Sequence, residues 1–252
     1  MNNLFTTGVS THMRELCPVY TALLFAEICE QAGLPPGVVN IVTGDGSTGS
    51  LIVNHKDINK IAFTGSTQVG KLIQNSLAGR DVGLTLELGG KAANIVYEDA
   101  AIDQAVEGVV NGIFFNQGHV CCAGSRLLLQ ESIHDQFVKK LEKRMQSLRV
   151  GNPLDKNTDI GAINSKEQLD KITSLVNEGV EDGGELFQTQ CELPGNGFWF
   201  RPSLFTNVQP SYSIAREEIF GPVLTTLTFR TPEEAVEIAN NTEYGLSAGV
   251  WT

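Results

Sequence analysis

The sequence is poor in the features that mark several large protein classes. It has no run of about 18 apolar residues such as a membrane-spanning helix needs, and its opening, Met1 to Gly8, lacks the basic and apolar regions of an export signal. Neither membrane insertion nor secretion is signalled, and the sequon Asn240-Asn241-Thr242 therefore reads as accidental. Cysteine is scarce. The five are odd in number and irregularly spaced, with Cys121 and Cys122 adjacent, which argues against a secreted disulfide framework and fits reduced thiols in the cytoplasm. Positive charge is short as well: lysine and arginine total 18 against 29 acids, a formal charge of −11, which repels phosphate backbones and anionic membranes. The densest basic group, Lys139, Lys140, Lys143, Arg144 and Arg149, is mixed with acids and reads as a solvated helix face. No nucleic-acid or membrane partner is expected.

What is present is ordinary globular composition, with 41% hydrophobic residues and 26 glycines. At about 100–200 residues per domain, 252 residues allow one large domain or two modest ones. Pro18 to Gln31 carries apolar residues at helical spacing and is stopped by Gly33 and Pro35-Pro36-Gly37. Val38 to Val42 reads as a strand, Ser50 to His55 as a short helix, Lys60 to Phe63 as a strand, Gln68 to Leu77 as a helix and Leu84 to Leu88 as a strand. The alternation resumes with strand Asn94 to Tyr97, helix Ile102 to Phe115, a polar turn at Asn116 to Gly118, strand Arg126 to Gln130 and helix Ile133 to Leu148. After a loop at Gly195 to Pro202, strands are expected near Leu204 to Val208 and at Val223 to Phe229, then a helix capped at Thr231-Pro232. The chain stops at Val250-Trp251-Thr252 inside what reads as a strand, which points to an incomplete protein. This rhythm implies an α/β fold with a mostly parallel sheet and ligands at the carboxyl ends of its strands.

Two glycine turns have the form of nucleotide contacts. Gly44-x-Gly46-x-x-Gly49 satisfies a dinucleotide fingerprint, but the nearest acid, Asp57, is too close to be the ribose ligand expected about 20 residues on, so a plain tight turn is the better reading. Gly65-Ser66-Thr67-Gln68-Val69-Gly70-Lys71 fits a phosphate loop until Leu72 stands where the magnesium-binding Ser or Thr belongs. An ATPase reading loses its metal ligand. The same backbone amides and helix N-terminus still suit the pyrophosphate of a metal-free dinucleotide.

Four separated motifs follow one another: Phe63 to Gly70, Leu86-Glu87-Leu88-Gly89-Gly90-Lys91, Asn116 to Arg126 around Cys121-Cys122, and Glu217-Glu218-Ile219-Phe220-Gly221-Pro222. Together they resemble the aldehyde dehydrogenase superfamily from about Ala22 to Thr252, and the wording around Gln117 to Cys121 is also similar to its two-module branch, family 16. The resemblance implies an aldehyde dehydrogenase-like α/β fold. Residues 1–88 would form part of a Rossmann-like cofactor domain, with 1–17 unmatched, and 89–252 most of an α/β catalytic domain lacking its C-terminal end. It also implies NAD, or NADP, as cofactor. Carried over by position, Cys121 is the nucleophile, Glu87 the general base, Gly65, Ser66 and Gly70 the cofactor turn, Gln168 an adenosine-ribose contact, and Glu218 with Phe220 the nicotinamide-ribose contacts.

The residue types suit those roles. A thiolate is the strongest neutral-pH nucleophile among side chains, and backbone amides in a glycine turn can favour it and later hold an oxyanion. Attack on an aldehyde gives a thiohemiacetal; loss of hydride to the nicotinamide gives a thioester, which water cleaves once a carboxylate such as Glu87, its pKa raised by apolar Leu86 and Leu88, takes a proton. His119-x-Cys121-Cys122 has no second ligand pair at metal spacing, so zinc is not expected. His119 stands where most of the family carries glutamine, and an imidazolium there would favour the thiolate. The family's upstream asparagine of the oxyanion hole and its upstream lysine have no counterpart before Pro18. Alone, the chain is expected to be weakly active or unfolded. The alternative is a silent remnant that pairs with intact subunits or a second copy through an exposed sheet edge.

Overall fold

The computed structural model describes residues 17–252, which divide into two compact units between Leu88 and Gly89. Most of the unmatched opening, Met1 to Cys17, lies outside the described residues.

The first unit contains α1 (Cys17–Gln31), α2 (Gly46–Asn54), β1 (Lys60–Thr64), α3 (Thr67–Ser76) and β2 (Gly83–Glu87). Asp45 caps α2 by accepting from the Ser47 amide at 2.9 Å, and Ser66 caps α3 by accepting from the Val69 amide at 3.3 Å. β1 and β2 pair in parallel, Lys60 opposite Gly83 and Thr64 opposite Glu87. Their inward residues Ile61 and Phe63 join Ile73 and Leu77 of the α3 end in a small core. The strand expected at Val38 to Val42 does not form. Those residues are irregular, because a strand needs a hydrogen-bonded neighbour and the described residues offer this segment none.

The second unit begins with β3 (Ala93–Val96), α4 (Ile102–Phe114), β4 (Arg126–Gln130), α5 (His134–Met145) and α6 (Lys166–Glu181). It continues with β5 (Glu185–Gln188), β6 (Ser203–Thr206), α7 (Ser213–Arg216), β7 (Val223–Phe229), α8 (Pro232–Asn240) and β8 (Ala248–Trp251). The sheet order is β5-β6-β7-β4-β3-β8, and all neighbours are parallel except β5 and β6. Central strands of such a sheet are buried on both faces, which explains the unbroken Leu127-Leu128-Leu129. Leu127 and Leu129 pack with α4 and α5, through Val109, Ile113, Phe137 and Leu141, whereas Leu128 packs with Phe229 and with Ala235 of α8.

Neither α6 nor β5 is anticipated by the sequence reading, which assigns nothing between Leu148 and Gly195. The 16-residue α6 buries Ile172, Leu175, Val176 and Gly179 on one stripe. Phe198 and Phe200 pack beside that stripe and Trp199 against the larger core, so these aromatics are packing residues. Two members of the basic group are tied to α4 rather than merely solvated: Arg144 pairs with Glu107 at 2.7 Å and Lys140 pairs with Asp103.

Candidate active site

In the first unit the second glycine turn is built as a helix start. Gly65 follows β1 and donates its amide to the Glu87 carbonyl at 3.0 Å, and Ser66 caps α3. A side chain at either glycine would displace a neighbouring one. A Cβ at Gly65 would lie 2.4 Å from the Phe63 ring, and one at Gly70 would lie 2.5 Å from Leu88 Cδ2. Between α2, α3 and β1 lies an apolar cavity of about 390 Å³, lined among others by Val53, Ile61, Phe63, Val69 and Ile73. Glu87 ends β2 and is exposed. Leu86 and Leu88 do not enclose it, because alternate strand residues point to opposite faces and both leucines pack on the small core.

In the second unit the separated motifs meet at the amino-terminal edge of the sheet, the end opposite to that expected. Gly89-Gly90-Lys91 precedes β3, Cys121 precedes β4, Glu218 to Pro222 precedes β7, and Tyr244-Gly245 precedes β8. Gly90 bridges to Gly245 and extends the pairing of β3 with β8. On its other side a Cβ at Gly90 would sit 2.3 Å from the Cys121 carbonyl oxygen, so this approach needs glycine. The Gly90 amide donates to Glu218 Oε1 at 3.0 Å.

Cys121 is partly exposed, and its amide donates to no acceptor among the described residues. The three residues Asn116, Gln117 and Gly118 all have left-handed φ values, 49°, 53° and 74°. Strain of this kind persists only where surroundings hold it. Here Gln117 Oε1 accepts from the Gly161 amide at 3.0 Å, and Gly118 lies so near Gly221 that a Cβ would meet its carbonyl oxygen at 2.1 Å. Phe220 is also left-handed, with φ 55°, and its ring stacks on His119 at 5.3 Å with 6° between planes. Burial pushes the His119 pKa down to about 4, so the ring is a neutral imidazole at neutral pH and gives the Cys121 thiolate no cationic support. Gln168 Nε2 donates to the carbonyls of Ile219 at 2.8 Å and Phe220 at 3.0 Å and secures the segment that carries Glu218.

Two buried cations complete this edge and were given no role from sequence. Arg126, 3% exposed, donates to the carbonyls of Lys91 at 2.9 Å, Ile238 at 3.0 Å and Ala239 at 2.8 Å, tying the start of β3 to the end of α8. Lys91, 1% exposed, has no acceptor for Nζ among the described residues. Burial, and next the charge of Arg126, lower its pKa to about 7. Its place in the Gly-Gly-Lys motif was the only sequence signal, and a lysine usually reaches solvent.

Comparison with known proteins gives the family. The profile of the aldehyde dehydrogenase family matches residues 11–252, so the match reaches further toward the N-terminus than the motifs alone show. The chain is 46% identical over 234 residues to human mitochondrial aldehyde dehydrogenase, and 48% identical over 235 residues to rat retinal dehydrogenase 2. Each match takes in 92% of this chain and 45% of the relative, so the chain spans about half the length of the curated relatives it matches. Among solved structures, an NAD-dependent aldehyde dehydrogenase from Sinorhizobium meliloti superposes with a TM-score of 0.89 at 42% identity, over 92% of this chain and 47% of that one. An NAD+ complex of a Bacillus cereus aldehyde dehydrogenase gives 0.88 at 41% identity, over 91% and 47%. With four motifs in order, three of them converging on one sheet edge, and a profile match along nearly the whole sequence, this chain belongs to the aldehyde dehydrogenase family.

Proposed function

We propose that Cys121 is the nucleophile of a nicotinamide-dependent aldehyde oxidation. Its thiol loses its proton to solvent, the thiolate sulfur bonds to the aldehyde carbon, the carbonyl electrons move to oxygen, and the unengaged Cys121 amide is a donor for that oxyanion. NAD, or NADP, when bound, would supply the hydride acceptor that oxidation of this adduct to a thioester needs. Glu87 takes a proton from the water that cleaves the thioester, which releases the carboxylic acid and returns the thiol. The observation that carries the reading is the close backbone approach of Gly90 to Cys121 beside Glu218.

The residues present suit the cofactor. The Ser66-capped start of α3, flanked by Gly65 and Gly70, offers the Thr67 and Gln68 amides to a pyrophosphate, and the apolar cavity between α2 and α3 is of a size for a flat base. Glu218 takes the ribose with Phe220, while Gln168 supports their segment. Free thiols at Cys29, Cys121, Cys122 and Cys191 suit a cytoplasmic setting. Propanal and NAD given to the purified chain are expected to yield NADH absorbance that disappears in Cys121→Ser. A folded sample with no cysteine-dependent signal refutes the reading.

A second reading is a silent subunit that associates with intact ones or with a second copy. It is favoured by the exposed apolar residues Tyr20, Leu24, Phe25 and Ile28 along α1. Sedimentation of the chain, alone and mixed with an intact relative, tests it; a monomer in both cases refutes it.

A further inference from the structure

Two left-handed turns of the second unit lean on each other, and His119 stands between them. Phe220, the proposed nicotinamide-ribose contact, has φ 55°, a conformation sparsely populated for an aromatic residue that only its surroundings can hold. Its backbone is held from α6, where Gln168 Nε2 donates to the Ile219 and Phe220 carbonyls at 2.8 and 3.0 Å. The Gly221 carbonyl lies against Gly118, at which a Cβ would come within 2.1 Å of its oxygen. Both contacts are to backbone. The Phe220 ring itself is met by His119, with centroids 5.3 Å apart and planes 6° apart, inside the range of about 4.5–7 Å in which aromatic pairs attract. No hydrogen bond at Nε2 accounts for the place of this imidazole, since that nitrogen is buried with no partner among the described residues. Its backbone is fixed from the other side: the His119 amide donates to the Asn116 carbonyl at 2.9 Å, and Asn116 Nδ2 donates to the His119 carbonyl at 3.1 Å. His119 thus joins the turn that carries Cys121, two residues on, to the segment that carries Glu218 and Phe220.

We propose that His119 is a positioning residue for the cofactor: its flat ring, stacked on Phe220, holds the Phe220 ring in the place from which it meets the nicotinamide ribose. The role belongs to the aromatic face and not to the ring nitrogens. It rests on the reading of Phe220 as a ribose contact. A benzene ring at position 119 would do the same work, whereas an aliphatic side chain of similar bulk would fill the space without the preferred ring-to-ring geometry.

The test uses the full chain, with His119→Phe, His119→Leu and Phe220→Leu. NMR of 13C-labelled histidine reads the stack directly: among the four histidines, the His119 ring signals are assigned by their loss in His119→Phe. They are expected to be displaced from those of free histidine by the Phe220 ring current and to return in Phe220→Leu. NADH fluorescence gives affinity. His119→Leu is expected to weaken NADH binding about three- to tenfold, and His119→Phe to keep the wild-type value. His119 ring signals that do not move in Phe220→Leu overturn the proposal, as does wild-type NADH affinity in His119→Leu. So does a loss in His119→Phe equal to that in His119→Leu, which would give the role to the ring nitrogens. Equal NADH binding by Phe220→Leu and wild type, or none by wild type, overturns the ribose reading instead, with the His119 ring signals still reporting whether the two rings stack.

Discussion

Gly90→Ala is the sharpest perturbation of the amino-terminal edge. An added Cβ would stand 2.3 Å from the Cys121 carbonyl oxygen, and the atom it meets is backbone, which cannot swing away as a side chain can. Ordinary contact begins near 3.4 Å, so β3 and the nucleophile turn must part by roughly 1 Å, a displacement that typically costs about 10²-fold in rate when it misplaces a reacting group. The same overpacking is expected to cost about 1–3 kcal/mol of stability, a drop in Tm of roughly 3–10 °C. Gly112→Ala is the matched control: it lies within α4, its Cβ would come no nearer than 3.7 Å to Asn94 Nδ2, and it should hold or raise Tm. Thermal unfolding and the rate of Cys121 alkylation by iodoacetamide are measured for both. Wild-type Tm and alkylation rate in Gly90→Ala would refute the close approach on which the site is built.

Three further outcomes follow from the buried charges. Arg126→Leu leaves the carbonyls of Lys91, Ile238 and Ala239 without their donor and should lower stability by about 3–5 kcal/mol in urea unfolding. Lys91→Met removes an unpartnered ammonium and should raise stability by about 1–4 kcal/mol below pH 7. Because the folded pKa of about 7 lies below the unfolded 10.5, wild-type stability climbs with pH through that window and the gain of the variant shrinks, which melting curves across the range would show. His119 is neutral when folded and titrates at about 4, against 6.5 unfolded, so acidification through that interval should cost about 2–3 kcal/mol that His119→Gln does not lose.

Much of the fold was legible, for reasons visible in particular elements. β4 and β7 fall on the expected residues: β4 holds the unbroken apolar run Leu127 to Leu129 between Arg126 and Gln130, and β7 is made only of apolar residues and β-branched threonines. The end of α1 and the cap of α8 lie where proline, glycine and Thr231-Pro232 put them. The stripe Leu169, Ile172, Leu175, Val176 of α6 was equally readable in principle, but charged residues on its outer side dilute it. Val38 to Val42 has strand composition and no partner, and composition alone cannot supply a hydrogen-bonded neighbour.

The sequence by itself determined the family, the order of most of the α/β elements and the chemical types in the motifs, since these depend on residues and spacings along one chain. Only the tertiary structure decided that the motifs of the second unit meet at the amino ends of the strands, that Lys91 is buried with no acceptor among the described residues and that His119 stays neutral. The physical reason is that burial, charge state and backbone approach depend on which segments become neighbours in space. Here that neighbourhood was set by the strand order β7-β4-β3-β8, in which each of the four strands is preceded by a segment of the same edge, though they lie far apart along the chain.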